Sequence, residues 1–146
     1  MLAAAPPPDE IVVGVGPGSY SGIRIGISAA IGLQLAWKIP ARGIHSAMGY
    51  EGADFQVILD ARGSWIYSRV CVGRVVEGPL FCTLEELEKK ADPSLPTFRP
   101  DTEESPVFPS AAIIGARMIT LVADLPLQPL YLKAPHITLP KNAKKI

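Results

Sequence analysis

Residues 11–37 read IVVGVGPGSYSGIRIGISAAIGLQLAW, and the reading of the rest of the chain depends on them. The stretch opens with the apolar run Ile11-Val12-Val13 and passes through Gly14, Gly16, Pro17 and Gly18. It continues as a long segment rich in Ile, Ala and Gly. An apolar run, clustered glycines and a second apolar run of helical length predict a strand, a tight turn and a helix. Ser19 or Ser21 is placed to cap that helix, because a serine oxygen accepts an N–H that the first turn leaves unpaired. Gly22, Gly26 and Ala30 recur every fourth residue, so one face is small enough for another backbone to come close. Ile23, Ile27, Ile31 and Leu35 form a second stripe, and Ile25 and Leu33 fall on other faces. A helix apolar nearly all round is expected to be buried or held in an interface.

Spacing decides what chemistry the turn can carry. A phosphate-binding P-loop needs G-x-x-x-x-G-K-[ST], and no glycine pair here has that gap followed by lysine. A nucleophile elbow needs G-x-S-x-G, but Tyr20 sits at the central position of Gly18-Ser19-Tyr20-Ser21-Gly22. The dinucleotide fingerprint G-x-G-x-x-G fails because Ser19 follows where a third glycine should be. What remains is a glycine turn at a helix N-terminus, either a plain device for a sharp turn or a set of amides open to an anion or a partner. Gly18 is expected to need positive φ or a close backbone approach, so Gly18→Val is expected to destabilise the fold or its association. Arg24 lies in the first helical turn, where the helix dipole disfavours a cation. A partner carboxylate or phosphate would account for it, and so would solvent exposure.

Composition bounds the class. The chain has 146 residues, enough for one domain or two small ones. Its hydrophobic content is 48%, with a mean hydropathy of +0.24, so a substantial core or an apolar interface is expected. Fourteen basic residues balance fourteen acidic ones, which leaves no global field to draw the chain to nucleic acid. Cys71 and Cys82 have no metal-type partners and suit buried thiols in a reducing compartment. His45 has no second ligand at a metal spacing, so no metal site is expected. Arg24, Gln34 and Lys38 interrupt the best apolar run, so no membrane span is expected. No signal peptide pattern is present at the N-terminus.

Beyond residue 37 the pattern changes. Pro40 ends the helix. Residues 41–44 are expected as a short strand and 46–50 as a helical turn. Val57-Ile58-Leu59 reads as a strand, 60–64 as a turn, 65–72 as a second strand, and Arg74-Val75-Val76 as the start of a third. Asp60 is placed to cap that turn and to pair locally with Arg62. Thr83-Leu84-Glu85-Glu86 is a capping box, and Lys89 and Lys90 close the helix it opens, matching the dipole at both ends. Five prolines make 91–109 an expected loop. Residues 110–123 are expected as a buried helix and 127–132 as a short extended piece that Tyr131 anchors. Lys141, Lys144 and Lys145 form a basic tail, either a solvated end or a contact for RNA phosphates.

Three stretches, in order, resemble the bacterial TsaB (YeaZ) proteins. VGVGPGSYSGIRIGISAAIGLQLA, with Ile39-Pro40 and Gly43-Ile44 after it, is similar to the family's GPGS-[FY]-[ST]-G-[LIV]-R-[LIV]-G motif. VILDARGSWIYSRV resembles its DAR-x-x-x-[IV]-Y hairpin, and Pro129-Leu130-Tyr131-Leu132-Lys133 its closing P-[LV]-Y-L-[RK]. Three motifs in the right order are more specific than any one of them. The resemblance is patchy between residues 83 and 126. It implies an α/β, actin-like (ribonuclease H-like) fold. Residues 1–52 would be the remnant of a first domain and 53–146 a second α/β domain with a C-terminal tail. The family's first domain normally opens with a strand hairpin and helix before the strand at Ile11, so an N-terminally shortened member is expected.

The resemblance also implies a role. TsaB-like chains are non-catalytic partners of the TsaD-type subunit in making threonylcarbamoyladenosine on tRNA, and they dock through the first domain. The chain is therefore expected to be cytoplasmic, to bind a TsaD-like subunit, and to touch tRNA only indirectly. No catalytic residue, metal or cofactor of its own is expected, although a nucleotide at a partner interface is compatible with the pattern. Gly16, Pro17, Gly18, Ser19, Tyr20, Ser21, Gly22, Arg24, Asp60 and Arg62 are expected next to a partner or ligand. In actin-like folds an acidic residue placed like Asp60 can face a nucleotide or its metal, which stands beside the turn-cap reading. The rival readings are a nucleotide-binding enzyme or glycoprotease-like peptidase of the same fold group, and a degenerate fragment without a tRNA role. A strand and apolar helix without their usual neighbours are aggregation hazards. A homodimer, or association with a partner, is therefore expected through residues 11–37.

Overall fold

The protein, seen in a computed structural model, is described over residues 8–100, 107–118 and 125–132. The first apolar run forms β1 (Ile11–Gly16), the second forms α1 (Tyr20–Trp37), and the chain returns as β2 (Ala41–His45), parallel to β1. Of the two capping serines, Ser19 is the one used. Its Oγ accepts the Gly22 N–H at 3.3 Å, and Ser21 lies inside the helix. Lys38 ends α1 in the left-handed region at φ 55 and returns its N–H to the Gln34 carbonyl. Pro40 cannot donate, but its carbonyl accepts the Ile11 N–H at 2.9 Å and starts the parallel pair.

Among the described residues, the apolar coat of α1 is not fully covered. Ile27 and Ala30 are buried, and a Cβ on Gly26 would stand 3.5 Å from the Val13 side chain, so the small-residue face packs on β1 side chains rather than on another backbone. Ile25 and Leu35 are 69% and 73% exposed, and Ile31, Leu33 and Trp37 are exposed as well. Among the described residues, no helix is long and apolar enough to cross a membrane.

After a 3₁₀ turn (Ser46–Gly49) comes an antiparallel meander of β3 (Phe55–Asp60), β4 (Trp65–Cys71) and β5 (Arg74–Cys82). Next come α2 (Leu84–Lys90) and β6 (Thr97–Phe98), which pairs in parallel with β3, so the sheet order is β5-β4-β3-β6. The capping box of α2 is present in both directions: Thr83 Oγ1 takes the Glu86 N–H and Glu86 Oε2 takes the Thr83 N–H. The stretch 91–109 is thus not all loop. Prolines at 93, 96 and 100 leave β6 two residues, too few for any alternation to show in the sequence. The buried Gln56 amide creates it. Its Nε2 donates to the Asp92 carbonyl and to Thr97 Oγ1, both at 2.8 Å, and its Oε1 accepts the Asp92 N–H at 3.1 Å.

The β4–β5 hairpin turns on Val72 and Gly73, with φ of 48 and 68. Two-residue turns with both φ positive favour Asn-Gly, and a β-branched residue there is strained. Val72 gains little in return, being 75% exposed. Val72→Asn is expected to stabilise the protein by about 1 kcal/mol. Urea titration of the two proteins checks this, and an unchanged midpoint would mean the turn is relaxed.

One core joins the two sheets. Ile44, Ala47, Met48 and Tyr50 meet Phe55, Val57 and Val70 of the larger sheet, with Ile114 closing the side. The larger sheet's other face packs Ile58, Tyr67 and Cys82 on Leu87 of α2. Cys82 is buried and Cys71 half-buried, and both are free. Helix α3 (Ala111–Met118) falls within the expected helix but is not a buried one: Ile114 alone has a buried side chain, and residues 119–123 lie outside the described set. Polar contacts hold α3 alongside Ile114. The Arg117 guanidinium donates to the Met48 and Gly52 carbonyls, each at 2.6 Å. The segment 125–132 returns to the first sheet, where Leu125 and Gly43 exchange backbone bonds and the Leu130 N–H reaches the Val15 carbonyl at 2.8 Å. Lys141, Lys144 and Lys145 lie outside the described residues.

His45, at the end of β2, is half-buried, and its Nδ1 is enclosed with no hydrogen-bond partner among the described residues. Burial lowers its pKa from 6.5. The folded state therefore resists protonation that the unfolded chain accepts. Its contribution is intact above pH 6.5 and is lost as pH falls below that value. Stability is expected to decline across that window, and His45→Asn is expected to flatten the decline. Denaturant midpoints measured on either side of pH 6.5 test it; equal slopes in both proteins would assign the effect to other groups.

Candidate functional site

The glycine turn, the 3₁₀ turn and the β3–β4 hairpin face one another across a cleft of about 480 Å³. Pro17, Gly18, Ser19 and Gly22 form one side, and Asp60 stands at the end of β3 on the other. The fold thus brings together five of the ten residues singled out in the sequence. Gly16 sits behind them. Its N–H donates to Ser46 Oγ at 3.1 Å, and it takes φ 122. The left-handed strain lies there and not at Gly18, whose φ is not positive and whose added Cβ would stand 3.8 Å from Ile23. Gly18 therefore does not need to be glycine for backbone reasons, which corrects the sequence-based expectation.

Asp60 caps its turn, but through the backbone: Oδ1 accepts the Arg62 N–H at 2.7 Å. Arg62 itself, at φ 56, is exposed and does not line the cleft. Tyr20, Ser21 and Arg24 do not line it either. Arg24 resolves its conflict with the helix dipole through aromatic neighbours. Its guanidinium carbon stands 4.0 Å from the Tyr20 ring centroid, and its Nε donates to Tyr131 Oη at 2.7 Å. That bond to Tyr131 raises the guanidinium above its usual pKa. Tyr131 thus anchors the C-terminal segment onto α1.

The residues that complete the cleft gave no signal in the sequence. Ser46 opens the 3₁₀ turn and Tyr50 follows it, Val57, Leu59 and Ile66 come from the meander, Pro100 follows β6, and Phe108 and Pro109 precede α3. Each is ordinary in its local context, and only the crossing of the sheets brings them together. The cleft-lining residues include no Lys, Arg or His. A second hollow of about 550 Å³ lies between β1 and α3, and shares Gly14, Ser46 and Pro109 with the first. Among the described residues, no group of three His, Cys, Asp or Glu is placed to hold a metal ion.

Residues 4–71 match the family model described as TsaD: tRNA N6-adenosine threonylcarbamoyltransferase. The chain is 32% identical over 143 residues to the uncharacterized protein Rv3421c of Mycobacterium tuberculosis, covering 87% of this chain and 65% of the relative. It is 30% identical over 142 residues to the uncharacterized protein ML0378 of Mycobacterium leprae, covering 87% of this chain and 38% of the relative. The chain thus spans less than two thirds of the length of these relatives. Among solved structures, YeaZ from Pseudomonas aeruginosa superimposes with a TM-score of 0.62 at 17% identity, over 84% of this chain and 74% of that one. A further structure, described as a protein with similarity to peptidase YEAZ from Pseudomonas aeruginosa, gives 0.57 at 20% identity, over 86% and 74%. The two sheets, the parallel β1–α1–β2 unit and the β5-β4-β3-β6 meander with its added parallel strand therefore form the actin-like α/β fold of the YeaZ proteins. The chain thus resembles the TsaD family model over residues 4–71 and shares the fold of the YeaZ structures over most of its length.

Proposed function

We propose that the chain is a non-catalytic, TsaB-like partner subunit in threonylcarbamoyladenosine modification of tRNA, acting in the cytoplasm by binding a TsaD-like catalytic subunit. The observation that carries this reading is the set of exposed apolar side chains on α1. Ile25, Ile31, Leu35 and Trp37 are exposed on a helix held to the chain by Ile27 and Ala30. Exposed apolar residues grouped on one element mark a contact surface. A second copy of the chain competes for the same side chains, so a homodimer is part of the proposal.

Isothermal titration with a purified TsaD-like subunit, and separately with ATP, tests the reading. Saturable binding to the subunit and no heat with ATP alone is the expected result. Tight ATP binding without the subunit would favour the nucleotide-binding enzyme. Binding to neither would leave a chain without a role in this modification.

A further inference from the structure

We infer that the outer edge of β1 pairs antiparallel with β1 of a second copy of this chain, in the register that sets Val12 of each copy opposite Gly14 of the other. This pairing rests on the homodimer proposed above and names the edge that forms it. The parallel β1–β2 register fixes what that edge offers. Ile11 gives its N–H to the Pro40 carbonyl, so by alternation Ile11 and Val13 bond towards β2, and Val12 and Gly14 point away from it. Among the described residues β1 and β2 form a two-stranded sheet, with no strand on the outer side of β1. Open edges invite pairing, and proteins ordinarily block them. The outer edge of β5 is blocked: it carries Arg74, Glu77 and Pro79, which has no N–H, and its register slips against β4. Ile11–Gly16 carries no charge and no proline.

The edge is complementary to itself. A two-fold axis through Val13 joins the N–H and C=O groups of Val12 and Gly14 across the two copies and makes one continuous sheet of two short ones. Shape agrees with this. A hollow of about 550 Å³ lies between β1 and α3, lined by Val12, Gly14, Ile114 and Met118, and Val12 of the second copy enters it opposite the bare Gly14. On the other face of β1, an added Cβ on Gly26 would stand 3.5 Å from the Val13 side chain, so α1 overlooks this strand. Gly22, Gly26 and Ala29 are small enough for the two copies of α1 to lie side by side above it. Charge agrees as well. In this register Glu10 and Asp9 of one copy lie opposite Gly16 and Pro17 of the other, at the start of its α1. That helix end is the positive end of the dipole, and the Tyr20 and Ser21 N–H groups meet no acceptor among the described residues. Asp9 is exposed, and Glu10 also accepts from Arg42.

Amide hydrogen exchange of the whole chain, followed by NMR at about 10 µM and about 1 mM, reads the edge directly, and sedimentation of the same samples gives the size. The Gly14 amide is expected to exchange about tenfold more slowly at the higher concentration, whereas Val13, bonded within the chain, is protected at both. Val12→Pro removes an N–H that makes no bond within the chain, and is expected to weaken the dimer about tenfold while the variant stays folded. Asp9→Lys changes an exposed residue, brings a cation to the start of α1 in the second copy, and is expected to weaken the dimer about threefold, less so in high salt. A chain that stays monomeric at the higher concentration, a dimer whose Gly14 amide exchanges equally at both, or a folded Val12→Pro that dimerises as before would each overturn the edge pairing. Titration with a TsaD-like subunit is read separately: binding there by a chain whose Gly14 amide stays open overturns the edge pairing and leaves the partner role standing.

Discussion

Gly78→Ala is expected to lower the melting temperature by about 10 °C, equivalent to about 3 kcal/mol. Gly78 holds φ 87, where an alanine is strained before any contact is counted. Its new Cβ would also stand 2.3 Å from the Tyr67 carbonyl oxygen and 3.1 Å from both the Leu80 nitrogen and the Ser68 Cα. These are backbone atoms of β4 and β5, at the place where their register shifts. No side chain can swing aside to relieve the contact, so the two strands must part. Since Tyr67 and Ser68 are buried, parting them opens the centre of the larger sheet. Gly18→Ala is the control: without positive φ and with 3.8 Å to Ile23, it is expected to change stability by less than about 0.5 kcal/mol. Thermal unfolding followed by circular dichroism compares them, and equal melting temperatures would show that β5 bends freely around Gly78.

The double variant Ile25→Asp, Leu35→Asp is expected to weaken association of the chain, with a TsaD-like subunit or with itself, by about 30-fold or more. Both side chains are mostly exposed on the isolated chain, so the folded monomer loses little. In a contact, each carboxylate would be buried without a partner, which costs several kcal/mol. Ile27 is the wrong residue for this experiment: it is buried, and Ile27→Asp would test the fold and not the surface. Light scattering gives the size of the free chain, and titration gives the affinity for the subunit. A variant that melts normally and binds unchanged would remove α1 as the contact.

Signals that act within a few residues were legible along the chain. The strand–turn–helix at residues 11–37, the meander and the capping box of Thr83 and Glu86 all occur where the pattern puts them. Each rests on a period, a turn residue or a cap that reaches about four residues along the chain. The resemblance to the YeaZ proteins was legible for the same reason, since its motifs are local runs.

What the sequence hid depends on groups far apart in it. β6 exists because Gln56 reaches Asp92 and Thr97, about forty positions on. Arg24 is accommodated by Tyr131, which is 107 residues away. Apolar content alone made α1 look enclosed, but burial depends on what crosses the helix, and β1 and β2 cover one side of it. The glycine whose backbone matters most, Gly78, stands in no motif, whereas the motif's Gly18 sits in ordinary geometry. The sequence by itself determined the strand–turn–helix of residues 11–37, the meander, the capping box and the motif pattern, because the backbone hydrogen bonds and side-chain periods that set them are local. Only the tertiary structure decided which strands meet, which face of α1 stays open and that Asp60 faces Gly18 across an apolar cleft. Those outcomes follow from the packing of side chains that have no neighbours in sequence.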